Sequence, residues 1–367
     1  MERNRGLGAR GGENGTVDAH LITLDGTEHE ASAEEIRRLL SSSTPFWLDL
    51  DVATGSEATS LLSETFGFHP LALEDVEHFG QRPKHDQYDG FALLVVFGAG
   101  RGGRLVEVHC FYSEAFLVSV HREPCPELTD LARRLVQPGR PRPDHVMVLY
   151  EVIDSLVDSY FPVLADLDDQ IDRLEDEILR RPTEAQLGQL FDLKRALIAL
   201  RKVVTPQRDL FAGLSAGRDV LAGMTDDAVR YFRDLYDHLI RISDLVDSYR
   251  DLVSGALDTH LSTVSNRLNV VMKQLTIIAT IFLPLSFLTG FFGQNFAWMV
   301  DRLHSLPVFL VLAVGLQLVV VAALVLMFRR RGWLTADGMV PPPPSQARRA
   351  RTPRAGAPRA SASRTRR

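Results

Sequence analysis

NVVMKQLTIIATIFLPLSFLTGFFGQNFAWM, Asn269 to Met299, is the stretch that decides how the chain is organised. From Leu275 to Phe292 it runs 18 positions without a charged residue, then meets a Gly293-Gln294-Asn295 turn. A second apolar run, Val308 to Phe328, follows, with Gln317 its only strongly polar residue. At about 1.5 Å of rise per residue, each run is long enough for a hydrocarbon core ~30 Å thick. A membrane hairpin is therefore predicted: spans at 273–292 and 308–328, joined by an external loop at 293–307. Arg329-Arg330-Arg331 closes the second span. The positive-inside bias puts that end in the cytoplasm, and two spans return the chain to the side it left, so the N-terminal body is expected there too.

Upstream, Thr225 is a credible N-cap followed by Asp226 and Asp227, and no proline occurs again before Pro284. A single helix from Asp226 to Phe292 would hold 67 residues and span roughly 100 Å. Leu235, Leu239, Ile242, Val246, Tyr249, Val253 and Ala256 trace one apolar face, which turns mixed at His260, Thr263, Arg267 and Val270. This reads as a stalk that packs on other helices and then enters the membrane. Before it lies a dense acidic series, Asp154 to Glu177, on helices with an apolar stripe such as Leu149, Val152, Ile153 and Leu156. Arg181-Pro182-Thr183 breaks that run, a helix is expected over Glu184–Val203, and Thr205-Pro206 reads as a boundary or kink. The stalk region is assigned to 146–272.

Residues 17–145 mix strands with helices. The β-type runs are Ala19–Leu24, Phe46–Asp51, Phe91–Phe97, Leu105–Tyr112 and Ala115–Val120, and helical patterns cover Ala33–Leu40 and Ser56–Phe66. An α/β domain is expected, without a strand order. Gly98-Ala-Gly-Arg-Gly-Gly103 reads as a hairpin loop rather than a phosphate cradle. The fold class is thus an α+β membrane protein: a cytoplasmic α/β domain, long stalk helices and two C-terminal transmembrane helices.

Charge is unevenly spread. The whole chain has a net of −6, but residues 329–367 carry 11 Arg and one acid, which leaves 30 basic and 46 acidic side chains on residues 1–328. That net of −16 attracts cations, although a solvated surface needs no more explanation. Residues 1–16 and the basic tail 329–367, with Pro341–Pro344, read as disordered. The tail's arginines suit anionic lipid headgroups, and no aromatic platform for nucleic acid accompanies them. Residues 1–15 lack an apolar secretory core. Cys110 and Cys125, outside any ligand pattern, are expected to be small core residues.

On the first span, Asn269, Met272, Leu275 or Thr276, Ala279, Leu283, Ser286, Gly290 and Gly293 share a face. It is polar at its cytoplasmic end, apolar in the middle, and small or hydroxylic outside. Such a face suits a pore with a dewetting gate, which two spans can build only as an oligomer. The same spacing suits helix packing, with Ala279 a small residue at a contact. A hard cation is also the functional reading of Glu74, Asp75 and Glu77 in HPLALEDVEH, where a solvated acidic face is the alternative.

SNRLNVVMK (265–273), LTIIATIFLPLSFLTG (275–290) and FGQNF (292–296) closely resemble the pore helix of the CorA family of divalent-cation transporters. HPLALEDVEHFGQRPK (69–84) and FLVSVHREP (116–124) extend the resemblance, which covers residues 18 to 334. It implies a homopentamer in which a cytoplasmic funnel and a helical stalk surround a central pore. The expected substrate is Mg2+, with Co2+ and Ni2+ also carried and Zn2+ moved by related members. No organic cofactor, nucleic-acid partner or enzyme activity is expected; no nucleophile–base constellation occurs.

Carried over position by position, Gly293 and Asn295 match the Gly-x-Asn selectivity turn. Asn269 matches the cytoplasmic pore amide. Met272, Leu275 and Leu283 match the gate, and Ser286 a pore hydroxyl. Asp75 and Asp234 match carboxylates that bind regulatory Mg2+ between subunits, Glu74 adjoins them, and Asp258 is a further stalk acid. Arg329, Arg330 and Arg331 match a basic ring at the pore mouth. Gln294 departs from the family's Gly-Met-Asn, and Ala297 stands where many members have an acid, leaving Asp301 in the loop. Change at the middle position is associated with zinc-transporting branches, so zinc or cobalt transport stands as the alternative. A non-conducting membrane sensor is the alternative of another class.

Overall fold

The structure, a computed structural model, describes residues 18–23, 27–30, 32–52, 55–138, 143–294, 297 and 305–334. The expected disordered N-terminus, nearly all of the basic tail and most of the external loop lie outside these residues. The chain divides into two units, Met1–Asp258 and Thr259–Arg367.

The first unit is built on a mixed seven-stranded sheet in the order β2-β1-β3-β7-β6-β5-β4. The strands are β1 (Asp18–Thr23), β2 (Thr27–Glu30), β3 (Phe46–Asp51), β4 (Lys84–Tyr88), β5 (Phe91–Ala99), β6 (Leu105–Tyr112) and β7 (Phe116–His121). All neighbours are antiparallel except β3 and β7, which run parallel. The central strands are buried on both faces, so they read as continuous apolar runs. The glycine segment is the β5–β6 hairpin: Gly102 and Gly103 both take positive φ, near +71° and +74°. β2 and β4 were not expected. Both are polar in sequence, TEHE and KHDQY, and they form the two edges of the sheet.

Helices α1 (Ala33–Ser42), α2 (Gly55–Phe66), α3 (Pro70–Glu77) and α4 (Pro126–Leu135) flank the sheet. Ser32 caps α1 by accepting from the Glu35 N–H at 3.2 Å. α4 was not foreseen, although Pro126 at its start, Glu127 in its first turn and Arg133 and Arg134 in its last are ordinary helix signals. Cys110 and Cys125 are free and buried, and burial pushes both thiols up, Cys125 to about 12. They are protonated packing groups.

The long helices are α5 (His145–Asp158), α6 (Tyr160–Arg180), α7 (Glu184–Ser215) and α8 (Asp226–Phe292). A capping box starts α7: Thr183 and Gln186 satisfy each other's backbone donors. α7 runs past the expected end at Val203, so Thr205-Pro206 is not a boundary, and the helix continues nine residues beyond Pro206. Tertiary contacts outweigh the one lost helix bond. Val203, Val204, Phe211 and Leu214 are buried, and the Gln207 amide accepts from the Phe97 N–H at 2.7 Å and donates to its carbonyl at 3.1 Å. β4 ends at Lys84, opposite Val95, so Gln207 takes the place of the next strand residue beside β5. Ser159 does the same for the Ala99 N–H. α8 runs its full 67 residues from the Thr225 cap, whose hydroxyl accepts from Ala228 at 3.2 Å. Its face at Leu235, Leu239, Ile242, Val246, Val253 and Ala256 is buried in the first unit.

In the second unit the two spans are the C-terminal part of α8 and α9 (Leu306–Arg330), which has a π-helical turn at Leu310–Gly315. Gln317 donates to the Thr289 hydroxyl at 3.1 Å and links them. Such a bond between membrane helices contributes about 0.6 kcal/mol. α9 ends in a Schellman motif. Gly332 has φ near +69°, Trp333 N–H reaches the Phe328 carbonyl at 2.9 Å, Gly332 N–H reaches Arg329 at 3.1 Å, and the Phe328 and Trp333 rings stack. The Lys273 ammonium lies 5.8 Å from the Trp333 ring, so the α8 and α9 ends beside the basic run are tied.

The parallel β3–β7 register sets Asp49 opposite Ser119 and Asp51 opposite His121. Trp47 Nε1 donates to Ser119 Oγ at 2.9 Å, Ser119 donates to Asp49, and His121 Nε2 lies 3.4 Å from Asp49. Burial disfavours the His121 imidazolium, but Asp49 outweighs it and raises the pKa to about 9. A pKa raised in the folded state adds stability below the ordinary value of 6.5 and loses it as pH rises through 9. The full-length protein is therefore expected to lose up to roughly 3 kcal/mol between these limits. Chemical denaturation followed by tryptophan fluorescence checks this, and an equal slope in His121→Gln would refute it.

Candidate cation pathway and regulatory carboxylates

The membrane part of α8 has two distinct faces. Lys273, Ile277, Thr280, Ile281, Pro284, Leu285 and Leu288 are partly covered, recurring every three or four residues. Asn269, Met272, Leu275, Ala279, Leu283, Ser286, Gly290, Gly293 and Gln294 are all exposed. The expected pore residues thus lie within a broad open surface that also holds Val271, Ile278, Phe282 and Phe287, with Met272 at 61% and Leu283 at 76% exposure. Bare apolar surface on this scale requires lipid or further protein against it.

The polar groups of the span are largely satisfied along the helix. Thr276, Thr280 and Thr289 donate to the carbonyls four residues back at 2.7–2.8 Å. Pro284 withholds the N–H that the Thr280 carbonyl would otherwise accept. α8 stops at Phe292. The Gly293 N–H still reaches the Thr289 carbonyl at 3.0 Å, and a Cβ at Gly293 would sit 3.0 Å from that same oxygen. Glycine therefore lets the chain close tightly here. Asn295 and Asp301 lie outside the described residues. Arg329, Arg330 and Arg331 are exposed at the end of α9.

The carboxylates fall into two clusters in the first unit. Asp75, on α3, pairs with Lys84 on β4 at 2.7 Å, and Lys84 also pairs with Asp86 at 2.8 Å. Burial opposes the lysine's charge, but the bonds and charges of Asp75 and Asp86 prevail and raise its pKa. Glu74 is exposed beside this cluster. α3 is placed by His69, whose Nδ1 accepts from the Leu71 N–H at 3.2 Å, and by buried Glu107, which accepts from the Gly80 and Gln81 N–H groups after the helix.

Asp234, on α8, belongs to the second cluster. His238, one turn on, has Nε2 3.9 Å from Asp234 and Nδ1 4.0 Å from both Asp154 and Asp158 of α5. Ligand atoms of Asp154, Asp158 and His238 all lie within 4.8 Å of one another. Burial and the neighbouring Asp158 raise the Asp154 pKa, and burial with Asp154 and Asp234 raises that of Tyr150. Two carboxylates and one imidazole suit a hydrated divalent cation bridging α5 and α8, with Asp234 beside the other ring nitrogen. Asp258 is exposed lower on α8 and joins neither cluster. His238 was not anticipated. Its signal was the pair of i, i+4 spacings, Asp154/Asp158 and Asp234/His238, which meet only once α5 packs on α8.

A family model described as CorA-like Mg2+ transporter protein matches residues 42–330. The chain belongs to that family. The cobalt/magnesium transport protein CorA of Thermotoga maritima is 37% identical over 310 residues, 82% of this chain and 87% of the relative. A putative metal ion transporter of Bacillus subtilis, YfjQ, is 34% identical over 78% of this chain and 89% of its own length. The zinc transport protein ZntB of an Enterobacter strain is 30% identical over 78% of this chain and 88% of its own. Among solved structures, the complete CorA magnesium transporter of Methanocaldococcus jannaschii has a TM-score of 0.73 at 23% identity, covering 87% of this chain and 99% of that one, which bears on fold. The expected CorA-like fold is therefore present: soluble α/β domain, long helix and two apolar C-terminal helices. The chain is a CorA-family divalent-cation transporter, and its spans are those of a membrane-embedded family.

Because Asp154, Asp158 and Asp234 repel one another without a cation, Asp158→Asn is expected to stabilise this CorA-family chain in EDTA. The gain should be about 1 kcal/mol, a rise of about 2–4 °C in Tm, with a smaller further rise on adding Mg2+ than the native chain shows. Thermal melts of the full-length protein with and without Mg2+ measure both. A lower Tm for the variant in EDTA would contradict like-charge repulsion at this cluster.

Proposed function

We propose that this chain forms a homopentameric channel in the cell membrane, with both termini cytoplasmic, that passively imports hydrated Mg2+ and closes when internal Mg2+ is high. The observation that carries this reading is the uncharged, exposed face of α8 from Asn269 to Gly290, opposite the partly covered face. Two spans enclose no pore, so several copies must contribute; five is the number the family resemblance implies. Mg2+ gives up its waters reluctantly. Rings of amide and hydroxyl from Asn269, Ser286 and Asn295 would bind it through those waters, and Met272, Leu275 and Leu283 would form a dry gate. Co2+ and Ni2+ have similar hydrated forms and are expected to follow. The membrane potential suffices as driving force: a divalent ion gains about 4.6 kcal/mol per 100 mV, more than three decades of concentration.

For regulation, Asp75 and Asp234 from neighbouring copies would share a cation with Glu74 nearby, and Asp154, Asp158 and His238 would add ligands beside Asp234. Removing the cation leaves carboxylates facing one another and favours an open arrangement, which gives negative feedback. Asp258 would add negative potential nearer the membrane, and Arg329, Arg330 and Arg331 would ring the cytoplasmic mouth.

A second reading, zinc transport by the same fold, rests on Gln294. It is exposed beside Gly293 and places an amide where the family signature has a thioether. The named zinc transporters among the relatives make it worth separating experimentally.

In liposomes, Asn295→Ala is expected to abolish Mg2+ influx, and a tenfold excess of Zn2+ should leave native Mg2+ influx largely intact. Unchanged flux in the variant would remove the turn from the pathway, and potent competition by Zn2+ would favour the second reading. Asp75→Asn together with Asp234→Asn is expected to weaken the protection from proteolysis that Mg2+ gives the soluble part. Full protection in the double variant would place the regulatory site elsewhere.

A further inference from the structure

In an acidic body, one cleft of the first unit gathers positive charge. It has a volume of about 750 Å3 and is lined by the 80–83 loop, Phe97, Leu105, α7 from Ile198 to Pro206, and Arg250 of α8. Phe97, Pro83 and Val203 form a buried apolar floor, and Arg82, Arg201, Lys202 and Arg250 supply four cations. Two of these are held in place: Asp247 lies 3.3 Å from Arg201 and 3.4 Å from Arg250, and Asp251 lies 3.8 Å from Arg250. Arg82 and Lys202 have no ion-pair partner among the described residues. With Asp247, Asp251 and the Glu107 carboxylate that holds the 80–81 loop against four cations, the cleft keeps a local excess of one positive charge on residues 1–328, whose net is −16.

We infer that this cleft binds a phosphorylated organic anion of nucleotide size. The volume lies within the range of small-ligand pockets, which combine an apolar wall with a few convergent polar groups. Guanidinium groups suit phosphate oxygens because their donors form a planar fork, and a lysine adds a point charge. Thr205 adds a hydroxyl to the lining. The backbone offers little. Glu107 already accepts from the Gly80 and Gln81 N–H groups at 2.6 and 3.1 Å, so recognition falls to the side chains. The same carboxylate fixes the loop that presents Arg82. The floor is equally fixed, because the Gln207 amide pins α7 to the Phe97 backbone. The apolar floor of Pro83, Phe97 and Val203 is unnecessary for inorganic phosphate alone; it fits a planar organic group carrying the phosphates.

The site is remote in sequence from the pore face and shares no residue with the two acidic clusters, so its binding is measurable without transport. The test is calorimetric titration of full-length protein in detergent, with EDTA present so that no metal bridges the ligand to the acidic clusters. The probes are ATP, inorganic pyrophosphate and adenosine. ATP is expected to bind saturably, pyrophosphate more weakly, and adenosine not measurably. The double variant Arg82→Gln, Lys202→Gln should weaken ATP by about tenfold or more. Both side chains are exposed, so its Tm should match that of the native chain, and native ATP binding should fall as NaCl is raised. Absence of saturable ATP binding, or equal ATP affinity in the double variant, would overturn the inference. Adenosine binding as well as ATP would remove the anion from it, and pyrophosphate binding as well as ATP would remove the organic group.

Discussion

A helix of 67 residues has no stability of its own in water on the scale of a folded protein; it persists where something covers it. α8 meets that requirement in two ways. From Leu235 to Ala256 its apolar face is buried by the first unit, where a fully buried Leu, Ile or Val contributes about 1.5–3 kcal/mol. Beyond Asn269 the cover changes. One face leans on α9 through Gln317 and the Lys273–Trp333 contact, and the opposite face is open. The cover thus changes along one continuous helix: the core of the first unit lies against Leu235 to Ala256, and α9 lies against the face at Thr280 and Pro284.

Much of this was legible in the sequence. Thr225, the acids after it and the absence of proline before Pro284 together specify α8, since local propensity and apolar period agree over its whole length. The strands with two buried faces were legible as continuous apolar runs. The polar edge strands β2 and β4 were not, because an edge strand is held by backbone pairing that leaves little trace in residue type. The end of α7 lies beyond the expected Val203 for a related reason; of boundary or kink at Thr205-Pro206, the boundary is excluded. Pro206 is a local stop signal, and the Gln207–Phe97 pairing that overrides it joins positions 110 residues apart.

The candidate site divides along the same line. The spacing of Asn269, Met272, Leu283 and Ser286 established a shared face but left pore lining and packing equally open. The covered face centred on Thr280 and Pro284 shows which side of the helix α9 occupies, and hence which side is left. Asp75 and Asp234 were identified by resemblance, yet their immediate partners, Lys84 and His238, depend on the turn into β4 and on the crossing of α5 with α8. Motifs carry the residues that are used; packing decides what stands beside them.

The Gln207 and Ser159 side chains have one more effect. A sheet edge is open to strand addition from another chain wherever a row of backbone groups is free. On the β4 side the strand is only five residues long, and it carries Lys84, His85 and Asp86. Where it ends, the groups of Phe97 and the Ala99 N–H are already taken. Too short a run remains there to template another chain. The open edge on that side is thereby confined to the five residues of β4.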